Sequence, residues 1–203
     1  MAPSNPLSPE IELLKRMHKG DEDAFMALYH RWQGGVYRFA LQMSGSESIA
    51  EDVTQEVFLT LMRGPARFDP NRGALSSYLY GISRNLILQT FHKERLLIPL
   101  EEEGGLPEIL VDPHDVLDDL ARQEGIAAVR RAVLALPPHY RETVVLCDLE
   151  ELSYEEAAEI SGCAVGTIRS RLNRAHALLL ERLKKAKALH SGREDHRVVR
   201  SLI

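Results

Sequence analysis

Residues 153–175, SYEEAAEISGCAVGTIRSRLNRA, hold two short helical patterns that meet at Gly162. Ser153 with Glu156 is a capping box, an independent start signal for the first pattern. Ala157 and Ala158 are small where two helices must cross closely, and Gly162, four residues after Ala158, lets the chain turn out of the first helix with positive φ. The second pattern begins near Gly166 or Thr167. Its Ile168, Leu172, Ala175 and Leu179 recur at i, i+4, i+7 and i+11, a spacing that buries one face of a helix and that no strand can satisfy. The outward side is left with Arg169, Ser170, Asn173 and Arg174, flanked by Thr167 and Arg171.

Those are the side chains that reading a DNA groove requires. Arginine can bond the O6 and N7 of guanine bidentately, asparagine can pair with adenine, and Ser or Thr hydroxyls reach bases or phosphates. The helix N-terminus adds a partial positive charge for a phosphate. The pattern predicts a DNA-binding helix-turn-helix, with a structural helical hairpin as the alternative.

A net charge of -5 seems to oppose such a partner, but the charge is segregated. Residues 100–124 carry nine acids against one base, Arg122, while residues 166–189 carry seven bases against one acid, Glu181. What a nucleic acid meets is the local surface, not the sum. The two cysteines, Cys147 and Cys163, have no second Cys or His at ligand spacing, so they read as small buried hydrophobes of a reducing compartment rather than a metal site or a disulfide. No apolar run approaches a membrane span, and the first ten residues, MAPSNPLSPE, have no basic and apolar leader. A cytoplasmic protein without membrane insertion is expected.

The first half is helical by pattern. Ser8 and Pro9 start a short helix to about His18. Phe25, Leu28, Tyr29, Trp32, Val36, Phe39, Ala40 and Met43 then define one long amphipathic helix over 21–44, in which Gly34 and Gly35 each cost roughly 1 kcal/mol against alanine and permit a bend. Trp32 on that stripe reads as core, with base stacking as the other possibility. A further helix over 46–63 turns Ile49, Val53, Val57 and Leu61 inward. Its other face presents Asp52, Gln55, Glu56, Leu59 and Arg63, either a solvated face whose acids suit the helix dipole or a docking face for a partner offering bases and an apolar groove.

Gly64, Pro65, Pro70, Asn71 and Gly73 make residues 64–74 a loop, with Arg63, Arg67, Phe68 and Arg72 in or beside it. Helix resumes at Ser76 or Ser77 and runs to about Arg95, with Leu79, Ile82, Leu86 and Phe91 inward and Arg84, Asn85, His92, Lys93 and Arg95 on the other surfaces. Bases interleaved with aromatics and amides suit a single-stranded nucleic acid; a solvated helix with scattered bases is the alternative. Residues 99–119, with Gly104, Gly105, Pro107, Pro113 and self-repelling acids, read as a linker. The second half then opens with a helix over 118–135, is broken at Pro137 and Pro138, and continues as helix to Leu149. The expected fold is all-α: two helical domains joined by an acidic flexible linker, the second a four-helix domain containing the helix-turn-helix.

Catalytic machinery is not evident: no paired nucleophile and base, no Gly-rich phosphate loop and no metal cluster. Asp148, Glu150 and Glu151 sit at a helix end before the capping box and read as solvated. Three classes stay open on residues alone. They are a DNA-binding subunit of a larger machine, a free-standing regulator, and a helical enzyme or adaptor whose helix-turn-helix is structural.

Taken together, DAFMALYHRWQGGVYRFA, AEDVTQEVFLTLMR, RFDPNRGALSSYLYGISRN and ALPPHYRETVVLCDLEELSYEEAAEISGCAVGTIRSRLNRA resemble, in order, the motifs of the extracytoplasmic-function (group IV) sigma factors of bacterial RNA polymerase. They cover most of residues 21–183. The resemblance implies a non-enzymatic initiation factor without cofactor or metal, whose partners are core RNA polymerase, promoter DNA and an anti-sigma factor. It implies domains at 1–97 (region 2), 98–119 (linker) and 120–189 (region 4), with a tail at 190–203 that has no counterpart.

The same resemblance assigns surfaces. Asp52, Gln55, Glu56 and Leu59 would meet the clamp helices of the polymerase's largest subunit, and the second domain its flap. Arg67, Asn71, Arg72, Tyr78, Arg84, Asn85 and Lys93 would melt and capture the -10 element. Ser153, Tyr154, Thr167, Arg169, Ser170, Arg171, Asn173 and Arg174 would read the -35 element. The acidic linker would thread toward the active centre along a path made for nucleic acid. Tyr78 stands where the family commonly has tryptophan, and LILQTFHKER carries only His92, Lys93 and Arg95 where a denser arginine cluster is common.

Overall fold

The computed structural model describes residues 9–63, 68–70, 73–97 and 120–200, with side chains outside the description at 94–97, 120–124 and 186–200. Every regular element among them is helical. The first domain comprises α1 (Pro9–Met17), α2 (Glu22–Ser44), α3 (Glu47–Arg63) and α4 (Leu75–Leu97). The second comprises α5 (Leu120–Leu134), α6 (Pro138–Val144), α7 (Tyr154–Ser161) and α8 (Val165–Arg200). The linker expected over 98–119 lies outside the described residues.

α2 forms where the apolar period placed it. The Asp21 side chain accepts from the Ala24 backbone N–H at 3.1 Å, satisfying a donor that the first turn leaves orphaned, and Gly45 ends the helix with φ 74°. Arg16 donates to the same Asp21 carboxylate at 2.8 Å, which ties α1 to the cap. With the Ala24 N–H it holds the Asp21 carboxyl below the usual carboxylate value. Leu28, Val36, Phe39, Ala40 and Met43 are buried against Val53, Val57, Phe58 and Leu61 of α3. Trp32 packs on the edge of that core as a half-buried residue, with the Arg31 guanidinium 5.8 Å from its ring centre.

α2 runs through Gly34 and Gly35 as one helix, and Gly35 has a packing reason. A Cβ there would lie 2.7 Å from the Tyr80 hydroxyl oxygen, so its absence lets α4 approach α2. In α4 the buried stripe is Leu75, Leu79, Ser83 and Ile87 rather than Leu79, Ile82 and Leu86. Ile82, Leu86 and Phe91 are half-buried at its flank. Ser83 fits the stripe because its hydroxyl donates back to the Leu79 carbonyl at 2.8 Å, which removes the cost of burying it.

In the second domain α6 opens at Pro138, whose missing N–H costs nothing in a first turn. It then widens into a π-helical turn over Val145–Leu149 instead of continuing as an α-helix. The Glu150 N–H bonds the Val145 carbonyl at 2.9 Å, and Glu151 follows with φ 54°. The extra residue in that turn shifts the helix phase. Glu150, read from sequence as solvated, is thereby carried inward and its side chain is only 5% exposed.

α8 also differs from expectation at its far end. The helical backbone continues to Arg200, through most of the tail at 190–203 for which the resemblance offers no counterpart. Among the described residues no helix is long and apolar enough to cross a membrane.

Candidate nucleic-acid and polymerase interfaces

The helix-turn-helix is built from its caps outward. The Ser153 hydroxyl accepts from the Glu156 N–H at 3.2 Å while the Glu156 carboxylate accepts from the Ser153 N–H at 2.9 Å, so two orphan donors of α7 are satisfied reciprocally. Gly162 turns the chain with φ 64°, and the Cys163 N–H closes on the Ala158 carbonyl at 3.0 Å. Ala157, Ala158, Ile160, Ile168, Leu172 and Ala175 are buried together. That leaves Arg169, Ser170, Asn173 and Arg174 exposed side by side on α8, as the spacing predicts.

Local contacts differentiate those residues. The Arg169 guanidinium lies 5.8 Å from the ring centre of Tyr154, itself exposed at the start of α7, so the two form a cation–π pair. Arg171 is half-buried and directs Nη1 at the Cys163 sulfur, 3.9 Å away, which turns it back to the hinge rather than out with Arg169 and Arg174. Thr167 is half-buried, and its carbonyl accepts from the Ser170 hydroxyl at 2.9 Å. No spacing or motif signals the His176–Asp148 contact at 2.6 Å, which ties α8 to the end of the π turn.

On α3 the second surface forms as a stripe. Asp52, Gln55 and Leu59 are exposed, and Glu56 is half-buried with its carboxylate 3.3 Å from Arg63 Nη1. Leu59 is 40% exposed and Met62, one turn on, is 51% exposed. Met62 widens the apolar centre of the stripe. It escaped the sequence reading because the period through Asp52, Gln55, Glu56 and Leu59 steps to Arg63 and passes beside it.

The third surface is on α4 and is not open. Tyr78 is half-buried with its ring 5.4 Å from that of Phe68, and Asn85 and Lys93 are exposed. Arg67, Asn71 and Arg72 lie outside the described residues. Arg84, expected to face nucleic acid, instead donates its Nε to the Glu142 carboxylate of α6 at 2.7 Å. The same carboxylate oxygen accepts from the Ser161 hydroxyl, and the Glu142 side chain is 6% exposed. Phe68, Gly73, Ser77, Tyr78 and Asn85 share a cleft with Glu159 and Ile160 of α7.

Three further contacts fasten the domains. The Tyr80 hydroxyl donates to Glu150 at 2.7 Å, and Arg38 Nε lies 3.6 Å from the other oxygen of that carboxylate. Burial raises the Glu150 carboxyl above its ordinary value against the opposing pull of Tyr80 and Arg38, and burial likewise raises the Tyr80 hydroxyl. Arg141, 3% exposed, donates to the carbonyls of Met43, Leu134 and Leu136. Those carbonyls stand at the ends of α2 and α5 or just beyond, where the helix dipole favours a cation.

Cys147 and Cys163 are both free and half-buried. Burial, with the Asp148 carboxylate beside it, pushes the Cys147 thiol up to about 11, so it stays a protonated packing group.

Comparison with known proteins matches residues 28–96 to the family described as Sigma-70 region 2 and residues 126–179 to Sigma-70, region 4. The chain is similar to the ECF RNA polymerase sigma factor EcfG of Rhodopseudomonas palustris, 34% identical over 81% of this chain and 87% of that one. It is similar to the ECF sigma factor SigE of Mycolicibacterium smegmatis, 35% identical over 74% of this chain, and spans 58% of that relative's length. Among solved structures it is similar to the sigma factor RpoE of Bartonella quintana, crystallised with the anti-sigma factor NepR. That match has a TM-score of 0.65 and 26% identity over 79% of this chain and 96% of that one.

Proposed function

The chain belongs to the ECF RNA polymerase sigma factors, and from that membership we propose that it binds core RNA polymerase and directs it to specific promoters. The observation that carries this reading is the pairing, in one chain and in order, of a region 2 match over 28–96 with a region 4 match over 126–179. A free-standing regulator needs only the second of these, and nothing in the structure favours it.

In this reading the domains run over 1–97 and 120–189, joined by 98–119, and the division of labour follows the surfaces. Asp52, Gln55, Glu56 and Leu59, exposed or half-exposed on one face of α3, suit the clamp helices of the polymerase's largest subunit. Arg169, Ser170, Asn173 and Arg174 read the -35 element in duplex DNA, with Tyr154 and Ser153 at the entry of α7 and Thr167 and Arg171 at the flank. Tyr78, Arg84, Asn85 and Lys93, with Arg67, Asn71 and Arg72 of the preceding loop, capture the -10 element as an unpaired strand. Phosphate contacts position and base contacts specify, so binding free energy from both domains supports strand opening. RNA synthesis belongs to the polymerase, and this chain contributes no chemical step. It acts in the bacterial cytoplasm, with an anti-sigma factor as its regulatory partner.

Run-off transcription from a random promoter library with the cognate core polymerase tests the reading. Enrichment of two spaced sequence elements is expected. Transcription indifferent to added protein, or a library without enrichment, would overturn it.

A further inference from the structure

Two contacts hold one edge of α8, and both come from the same short stretch of chain. The Tyr154 ring meets the Arg169 guanidinium at 5.8 Å, and two turns further along α8 the Asp148 carboxylate meets His176 Nε2 at 2.6 Å. Arg169 and His176 therefore lie on the same side of the helix, and the exposed Asn173 lies between them on that side. The stretch 148–154 that supplies both partners is itself fixed. The Glu150 N–H bonds the Val145 carbonyl at 2.9 Å, the Leu152 N–H bonds the Leu146 carbonyl at 3.0 Å, and Ser153 closes the capping box of α7. Between the two contacts Glu151 takes φ 54°, a left-handed conformation that a residue other than glycine keeps only where its surroundings impose it.

The Asp148–His176 contact does little for the fold as such. The two side chains are 36% and 52% exposed, and an ion pair in that much water adds little to stability. Its direction matters more than its strength. Ile168, Leu172 and Ala175 decide which face of α8 is buried, but apolar contacts are not directional and leave a roll about the helix axis open. Side chains that read base edges must be held within about 10 to 20° of the productive geometry. A short polar contact at the rim of α8 is directional and removes that freedom.

We propose that Asp148 and His176 are positioning residues for reading the upstream element: their contact, together with Tyr154 on Arg169, fixes the roll of α8 and so aims Arg169, Asn173 and Arg174. This role rests on α8 being the -35 reader. An ionised carboxylate only accepts, so His176 donates through Nε2, and neither residue needs to touch a base. The proposal makes an unusual sign. Asp148 is an acid beside a helix that faces DNA, and electrostatics alone says that deleting it should strengthen binding to a polyanion. Loss of the roll constraint says the reverse.

The test uses holoenzyme assembled from core polymerase and the full chain, on the promoter enriched from the run-off library and on single-base variants of its upstream element. Asp148→Ala should weaken binding to the enriched promoter by about fivefold and compress its preference over the variants, with thermal unfolding of the free chain nearly unchanged. Asp148→Asn keeps an acceptor and His176→Gln keeps a donor, so each should stay within about twofold of wild type. His176→Leu should match Asp148→Ala, and the double variant should be no worse than either single one, because both remove the same contact. Binding by Asp148→Ala as tight as wild type or tighter would overturn the role of the pair, as would losses that add in the double variant or that fall equally on every upstream sequence. Wild-type holoenzyme without preference for the enriched upstream element would overturn the -35 reading and this role with it, so the two failures are distinguishable.

Discussion

Arg141 of α6 reaches across the domain boundary to the Met43 carbonyl of α2, 98 residues earlier, at 2.5 Å. The same guanidinium holds the carbonyls of Leu134 and Leu136. Burial lowers its proton affinity from the ordinary value, but arginine remains charged in any protein environment. Arg141→Met keeps the stem and removes every donor, stranding buried carbonyls. It should cost about 2 to 4 kcal/mol in urea unfolding. Arg141→Lys should recover only part of that, because an ammonium cannot reproduce the planar fork.

The α3 stripe makes a prediction independent of the interface. Asp52 and Glu56 lie on the outer face, so replacing both with lysine should leave far-UV circular dichroism and thermal unfolding nearly unchanged. Co-elution with core polymerase on gel filtration should be lost. Retained co-elution would assign docking to another face. Met62→Asp should weaken the same binding through the apolar centre.

Tyr154 and Arg169 form a pair whose two roles can be separated. Arg169→Ala or Arg174→Ala should each cost roughly 1 to 3 kcal/mol of promoter binding and relax preference at one upstream base if the contact is bidentate. Tyr154→Ala leaves the Arg169 charge but removes the ring that holds it, so the loss at that base should be smaller and overall affinity less affected. Equal weakening on all sequences would make Arg169 a phosphate contact. Binding to a panel of single-base variants of the upstream element reads the difference.

Glu150 gives the contact between the two domains a pH dependence of definite sign. Burial is the largest influence on it and raises its carboxyl above the ordinary 4.5 where the domains meet. The docked domains therefore bind the proton more tightly than separated ones, and docking is favoured as pH falls from neutral through the raised value toward 4.5. Asp21 works in the opposite sense and elsewhere. Its carboxyl is lowered, so its contribution to the first domain is present above 3.8 and lost only as pH falls below that value. Inter-domain energy transfer between labelled domains should rise on acidification from about pH 7 to about pH 5, and Glu150→Gln should flatten the curve.

Much of this was visible in the sequence because helices announce themselves by period. The α2 stripe, the capping box at Ser153 and the left-handed Gly162 are local, and each appears where expected. The exposed set on α8 follows from the position of its buried face. Glu150 was not legible for a local reason: the π turn over Val145–Leu149 shifts the helix phase, and no residue pattern forecast it. The pairing of Arg84 was not legible for a non-local one. Its partner Glu142 lies 58 residues away, beyond a break in the helical pattern, and a period analysis treats each helix as if its outer face met only water. The register of α4 slipped for a third reason, since Ser83 joins the core by bonding its own helix and so evades a count of apolar residues.

Gly34 and Gly35 are neighbours in α2 with opposite expected responses to alanine. Both are helical, so each replacement gains roughly 0.5 to 1 kcal/mol from the unfolded state if nothing is disturbed. At Gly34 the new methyl would lie 3.3 Å from Arg38 Nη1, the far end of a flexible and largely exposed side chain that can move by a few tenths of an ångström. Gly34→Ala should therefore raise thermal stability. At Gly35 the methyl would lie 2.7 Å from the Tyr80 hydroxyl oxygen and 3.4 Å from the Glu150 carboxylate. The Tyr80 ring is buried against Phe39 and cannot retreat without disturbing the first domain, so the strain falls on the bond to Glu150. Gly35→Ala should loosen the domain interface while the isolated helix signal stays intact, read as a larger scattering radius with unchanged far-UV circular dichroism. Compactness equal to wild type would mean that Tyr80 holds the second domain less firmly than its 2.7 Å bond implies.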